Sequence, residues 1–174
     1  MISYLNRLFG RNDDSPTQAS SDTDTVRRIV GELDRLGPDE ARYLAAFAFV
    51  LARVANADMG ISEDESRRME EIVREVGGLT EAQAVLVVQI AKSQQLLKGG
   101  TENYLVTREF DKIASREQKE GLLHCLFEIS AADDSISLVE ENEAARIAAE
   151  LKFDHKEFSA IRAQYNEKRS ILNG

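Results

Sequence analysis

The chain has 174 residues, which is enough for one domain with a core of ordinary size. Its hydrophobic content of 43% and charged content of 30% are typical of a globular protein and exclude a disordered chain. The net charge of −9 excludes nucleic acid as a natural partner, because phosphate binding needs a basic surface.

Compartment and partners are constrained by the same composition. The single cysteine, Cys125, excludes an internal disulfide and gives no indication of secretion. No secretory signal is apparent, and the longest apolar run, Leu44 to Ala52, is far shorter than the roughly twenty residues of a membrane span. We therefore expect a soluble, cytoplasmic protein whose partners are cations or basic protein surfaces.

Residues 1–24 are predicted to form an N-terminal tail and linker. Apolar residues recur near helical spacing within residues 1–11, at Ile2, Leu5, Leu8 and Phe9. This pattern predicts either an amphipathic anchor for a membrane surface or partner, or a short helix packed on its own domain. Residues 12–24 are rich in Ser, Thr, Asp and Asn, which predicts a flexible linker.

From Thr25 onward, apolar periodicity predicts about eight helices and no strand. The predicted helices cover about residues 25–36, 38–55, 62–76, 80–97, 102–113, 115–131, 137–151 and 154–169. Helix starts are indicated by capping boxes, in which a Ser, Thr or Asp is followed three residues later by Glu or Gln. These boxes begin at Ser62, Thr80, Ser115, Ser137 and Asp154.

One acidic segment occurs twice in the chain. Residues 57–65 read ADMGISEDE and residues 132–140 read ADDSISLVE, at a constant offset of 75. The matches Leu51/Leu126 and Ile72/Ile147 extend the correspondence into the flanking helices. The duplication predicts an all-α fold, a compact bundle of two pseudo-twofold-related helix–turn–helix halves. The domain should span residues 25–170, with halves at about 38–98 and 102–170.

On these two turns and the helices around them, the sequence resembles the TerB-like family, which includes the tellurite resistance protein TerB and the N-terminal domain of the co-chaperone DjlA. The resemblance implies a compact, acidic, non-enzymatic all-α domain. It also implies a role in bacterial stress tolerance through cation binding, protein interaction or the membrane periphery. The usual turn glycine is present as Gly60 but is Ser135 in the second copy. The chain has no His-Pro-Asp triplet, so Hsp70 stimulation is not supported.

The family's recurring acidic positions correspond here to a set of four carboxylates, Asp58, Glu65, Asp133 and Glu140. We predict that they form a divalent cation site for Ca²⁺ or Mg²⁺, which prefer several oxygen ligands. Three further carboxylates are near enough in sequence to assist, namely Asp64, Asp134 and Glu141. The prediction requires that the pseudo-twofold brings the two turns together.

A purely structural interpretation uses the same residues. Glu65 and Glu140 complete capping boxes with Ser62 and Ser137, and aspartates in turns commonly accept hydrogen bonds from free backbone amides. An ordinary EF-hand is excluded, because alignment of Glu65 to its last ligand position places Val54 where the first acidic ligand is needed.

No catalytic residue or cofactor-binding motif can be named. His124 adjoins Cys125, but neighbouring residues on a helix point about 100° apart and form a poor chelating pair. We expect both as core or boundary residues, and His155 has no ligand-like partner. The leading hypothesis is a non-enzymatic TerB-like stress-response module with an unidentified protein partner. The alternatives are a membrane-peripheral or protein-interaction adaptor with purely structural acidic turns and, remotely, a metal-dependent hydrolase.

Overall fold

The computed structural model describes residues 18–55, 61–93, 100–132 and 138–172. Within these ranges the chain forms eight helices and no strand, which confirms the predicted all-α fold. The helices are α1 (Gln18–Asp34), α2 (Pro38–Ala55), α3 (Glu63–Glu75), α4 (Glu81–Ser93), α5 (Gly100–Ile113), α6 (Arg116–Ala132), α7 (Leu138–Glu150) and α8 (His155–Leu172).

Helix α2 lies at the centre of the bundle because its sequence is apolar on nearly every side. Leu44, Phe47, Val50 and Leu51 are all fully buried. The helix packs against α4, α5, α6 and α7, and α1 also contacts it. Burial of one such side chain contributes about 1.5–3 kcal/mol, so the packing of α2 is a main source of stability.

The predicted duplication appears in the order and packing of the helices. The offset of 75 maps α3 onto α7 from the first residue to the last, and each of these helices has 13 residues. Their packing is reciprocal, since α3 lies against α6 of the second half and α7 lies against α2 of the first. The contacts of α2 with α4 are likewise matched by those of α6 with α8. Helices α2 and α6, which precede the acidic turns, also contact each other.

The N-terminal region differs from its prediction. Helix α1 begins at Gln18, so residues 18–24 are helical, whereas their composition predicts a linker. The Ser, Thr and Asp residues here suit a helix start as well as a linker, and α1 is fixed by the burial of Ile29 and Leu33 further along. The residues of the predicted membrane anchor lie outside the described ranges. Within those ranges, no helix is long and apolar enough to cross a membrane.

The ends of α3 and α7 require unusual backbone conformations. Gly78 follows α3 with a φ of 70°, in the left-handed region that favours glycine. After α7 the same region is occupied by Lys152, at a φ of 64°. Phe153 N donates to Ala148 O and Lys152 N to Ala149 O, the paired bonds of a Schellman motif. The lysine therefore stands where glycine is usual.

Gly77 allows the end of α3 to approach both central helices. A Cβ atom at this position would lie 2.5 Å from the Val73 carbonyl oxygen, 3.1 Å from Cys125 Sγ of α6 and 3.3 Å from Phe47 Cζ of α2. The first of these distances is too short for any side chain. Only glycine permits this packing.

We predict that Gly77→Ala lowers the free energy of unfolding by about 1–3 kcal/mol, because overpacking must displace backbone or core atoms. Gly31→Ala is the matched control. Gly31 lies inside α1, and an added Cβ there would meet nothing within 4 Å, so the substitution should stabilise the protein by up to about 1 kcal/mol. Urea unfolding measures both values, and equal effects of the two substitutions would contradict the proposed contact.

Candidate functional site

The first acidic turn leads into α3, whose start has the predicted capping box. Ser62 is the N-cap residue with an extended backbone, and its Oγ accepts a hydrogen bond from Glu65 N at 3.2 Å. Glu65 Oε2 accepts a bond from Ser62 N at 2.5 Å. Asp58, the other candidate ligand of this turn, lies outside the described residues. The structural role of Glu65 is thus confirmed, whereas a role in cation binding stays a prediction.

Glu65 is nevertheless well suited to carry charge. The bond from the Ser62 backbone amide, followed by that from the Ser62 side chain, lowers the pKa of the Glu65 carboxyl. The side chain is exposed. Neighbouring Glu63 lies 3.4 Å from Lys92 Nζ, and Asp64 is exposed. The start of α3 therefore presents an exposed, ionised carboxylate.

The second acidic turn is described only from the start of α7 onward. Asp133 and Asp134 lie outside the described ranges. Glu140 is half-buried in the first turn of α7, and Glu141 forms an ion pair with Arg162 of α8. In the part of the chain that the structure describes, no three His, Cys, Asp or Glu side chains are grouped so that they could hold a metal ion. The approach of the two turns to each other therefore stays a prediction.

His124 and Cys125 are packing residues. His124 Nδ1 lies 2.7 Å from the hydroxyl of Tyr165 on α8, and that hydroxyl also donates to the His124 carbonyl oxygen at 3.3 Å. Tyr165 is buried and stacks on Phe127. Cys125 is fully buried, and its burial raises the pKa of the thiol to about 12. The thiol therefore remains protonated and unreactive.

A buried ion cluster, which was not predicted, joins α2, α5 and α7. We call Arg53, Thr107, Glu143 and Glu150 the Arg53 cluster. The Arg53 side chain is only 6% exposed, and its Nε donates to Glu143 at 2.7 Å. Its Nη1 donates to Glu150 at 2.6 Å and to Thr107 Oγ1 at 2.7 Å. One guanidinium thus connects the end of α2 to two helices of the second half, α5 and α7.

The electrostatics of the cluster favour the charged arginine. Burial alone would lower the pKa of Arg53, but hydrogen bonds to Glu150 and Glu143 outweigh it, and the pKa is raised. Bidentate geometry and well-aligned donors are the conditions under which a buried ion pair compensates for its desolvation. The sequence does contain a signal for this cluster, since Arg53 follows a long apolar run. The two carboxylates that bind Arg53 lie ninety or more residues away, so the sequence does not show which ones meet it.

A second buried carboxylate, Asp111 at the end of α5, is held by two lysines. Lys119 Nζ lies 2.7 Å from Asp111 Oδ1, and Lys152 Nζ lies 2.5 Å from Oδ2. Burial opposes ionisation of Asp111, but the bonds from Lys119 and Lys152 lower its pKa overall. The ion pair of Lys152 with Asp111 partly offsets the energetic cost of the left-handed backbone conformation of Lys152. This arrangement fixes α5 against α6 and the end of α7.

We predict that Arg53→Met lowers the free energy of unfolding by about 3–5 kcal/mol, because two partly buried carboxylates lose their counter-ion. Adding Glu143→Gln and Glu150→Gln should restore much of the loss. Arg35→Met is the control, since Arg35 pairs with Glu32 on the surface, and should cost less than about 1 kcal/mol. Denaturant unfolding gives these values. A small effect of Arg53→Met would show that the cluster does not hold the two halves together.

We also predict a pH-dependent contribution from Glu65. Its folded-state pKa is lowered, so the carboxylate stabilises the fold above the unfolded value of about 4.3, and this contribution disappears as the pH falls through the folded-state pKa. Glu65→Ala should cost about 0.3–1 kcal/mol at pH 7 and progressively less below about pH 4. Unfolding measured between pH 7 and pH 3 tests this, with Glu71→Ala on the same helix as the control. A cost independent of pH would contradict the capping role of the charge.

Comparison with known proteins agrees with the repeated acidic turns and the all-helical bundle. Neither the curated proteins nor the solved structures include a significant match to this chain. The family described as tellurite resistance protein TerB matches residues 43–163, from the middle of α2 into α8. Because the matched segment exceeds half of the sequence, the chain belongs to the TerB family.

Proposed function

We propose that this protein is a non-enzymatic acidic scaffold in a stress response of the tellurite-resistance type, and that its two acidic turns bind Ca²⁺ or Mg²⁺. The observation that carries the proposal is the duplication within a TerB domain. The same acidic turn recurs between α2 and α3 and between α6 and α7, the two corresponding places of the fold.

The chemistry of the turns supports a hard cation. Asp58, Glu65, Asp133 and Glu140 supply carboxylate oxygens, the ligands that Ca²⁺ and Mg²⁺ prefer. Glu65 is exposed while it caps α3, and its lowered pKa keeps it ionised at neutral pH. A bound cation would cancel the repulsion between clustered carboxylates and stiffen the turns. The surface offered to a partner protein would change as a result.

We propose that the protein has no enzymatic role. The two residues best suited to nucleophilic or acid–base chemistry, Cys125 and His124, are both engaged in packing. Cys125 is buried, with the pKa of its thiol raised to about 12. The His124 ring is engaged by Tyr165 on the neighbouring helix. His124 contributes to the contact of α6 with α8, and Cys125 packs against the end of α3.

A second candidate function is an adaptor in which the acidic turns are purely structural. It is favoured by the complete capping box at Glu65 and by the ion pair between Glu141 and Arg162, because both use candidate ligands within the fold. In this case residues 1–11 would provide contact with a membrane surface or partner, as their apolar spacing predicts.

Calorimetric titration with CaCl₂ and MgCl₂ tests the cation proposal. We expect a saturable heat and a higher melting temperature, since a ligand at one hundred times its dissociation constant stabilises the folded state by about 2.7 kcal/mol. Asp58→Asn with Asp133→Asn should abolish both effects. Glu70→Gln with Glu71→Gln, which removes the same charge from α3, should leave them unchanged. No heat, and an unchanged melting temperature at millimolar ion, would refute cation binding.

Deletion of residues 1–17 separates the two functions, because it leaves α1 intact. Under the adaptor hypothesis, the shortened protein should fold normally but lose its association with anionic lipid vesicles or with its partner. Under the cation hypothesis, its calcium titration should match that of the full chain. Vesicle sedimentation and calorimetry on the same preparation distinguish these results.

A further inference from the structure

An open cleft of about 630 Å³ lies where the ends of five helices meet. It is bordered by the first turns of α2, by Gly77, Gly78 and Leu79 between α3 and α4, and by Ile113 and Gln118 between α5 and α6. Its volume is typical of a site for a small ligand or for a few side chains of a peptide. The cleft includes residues of both halves.

The floor of the cleft is aromatic and apolar. The half-buried Tyr43 ring stacks on Phe110, with the ring centres 5.5 Å apart, and Leu79 is buried beside it. Burial raises the pKa of Tyr43 to about 12, so the phenol stays neutral. Its hydroxyl makes no hydrogen bond to any described residue. A tyrosine ring in this setting attracts a cation to its face.

Some of the backbone donors at the helix N-termini that border the cleft are already engaged. Capping boxes occupy the first amides of α4 and α6, since Thr80 N donates to Gln83 Oε1 at 3.0 Å and Ser115 N donates to Gln118 Oε1 at 2.8 Å. Helix α2 begins with Pro38, which has no N–H group. The capping boxes thus engage two backbone amides at the start of α4 and two at the start of α6.

Acceptors predominate at the mouth of the cleft. Asp39 and Glu40 of α2 line it, and Glu40 Oε1 accepts a bond from Gln83 Nε2 at 2.7 Å, which leaves Oε2 available. The C-terminal ends of α3 and α5 also border the cleft, and the last carbonyl groups of a helix carry partial negative charge. Arg42 is the basic residue of the rim. Among the charged side chains of the rim, two carboxylates therefore outnumber one guanidinium.

We propose that this cleft is the docking site for an arginine or lysine side chain on an apolar segment of a partner protein. The alkyl part of the side chain would lie on Leu79 and Ile113, and its charged group would lie over Tyr43 and reach Asp39 and Glu40. This cleft would be the surface through which the scaffold binds its partner. The inference rests on the proposed function only because it assumes that the partner is a protein.

The test uses the peptide acetyl-Leu-Arg-Leu-amide and the same peptide with citrulline, which is neutral and nearly isosteric. In ¹H–¹⁵N spectra of the full chain, the arginine peptide should cause saturable shifts at the amides of Gly77, Gly78 and Leu79. The citrulline peptide should bind at least tenfold more weakly. Asp39→Asn with Glu40→Gln should weaken binding of the arginine peptide at least fivefold. Glu70→Gln with Glu71→Gln, on the surface of α3, should not.

Tyr43 variants provide an independent test. Tyr43→Phe keeps the ring and should retain affinity within about threefold, whereas Tyr43→Leu should lose most of it, with melting temperatures confirming that both variants fold. Equal binding of the citrulline peptide or of free agmatine would overturn the proposal, as would equal effects of the two carboxylate variants. Calcium-induced shifts at the same three amides would make the cleft a simple cation site and would also overturn it. Failure of calcium binding at the acidic turns leaves this experiment unaffected.

Discussion

The burial of α2 is the constraint on which the rest of the fold depends. A helix that is apolar on nearly every side must be covered on every side, and α4, α5, α6 and α7 provide this cover. The charge of Arg53 near its end then has to be matched inside the protein. Glu143 and Glu150 of α7 match it, so the position of α7 is fixed by charge as well as by apolar packing.

Much of the fold could be predicted from the sequence, because the signals for it are local. Capping boxes place the starts of α3, α4, α6 and α8 to within one residue, and apolar periodicity gives the length of α2. The predicted beginning of α1 is too late, since Ser, Thr and Asp residues are common both in linkers and in first helical turns. Such residues leave the boundary to be decided by packing further along the helix.

The candidate site was less predictable for a physical reason. The repeat indicates which residues are acidic and where they stand relative to the helices, but the distance between the two turns depends on the crossing of α2 and α6. The partners of Arg53 and Asp111 also depend on tertiary structure, since each is held by residues of other helices. The cleft at Tyr43 is formed by the ends of five helices, and no segment of the sequence contains more than a part of it.

The Arg53 cluster has a consequence for the origin of the duplication. At the offset of 75, the counterpart of Arg53 is Glu128, and the counterparts of Glu143 and Glu150 are Arg68 and Glu75. A symmetric dimer of two front halves would set Arg53 against Arg68 and Glu75, and a dimer of two rear halves would gather three glutamates. The fused chain thus combines one arginine with two glutamates, a balance that neither self-paired half would have. The two copies have become complementary rather than interchangeable, and neither can now replace the other.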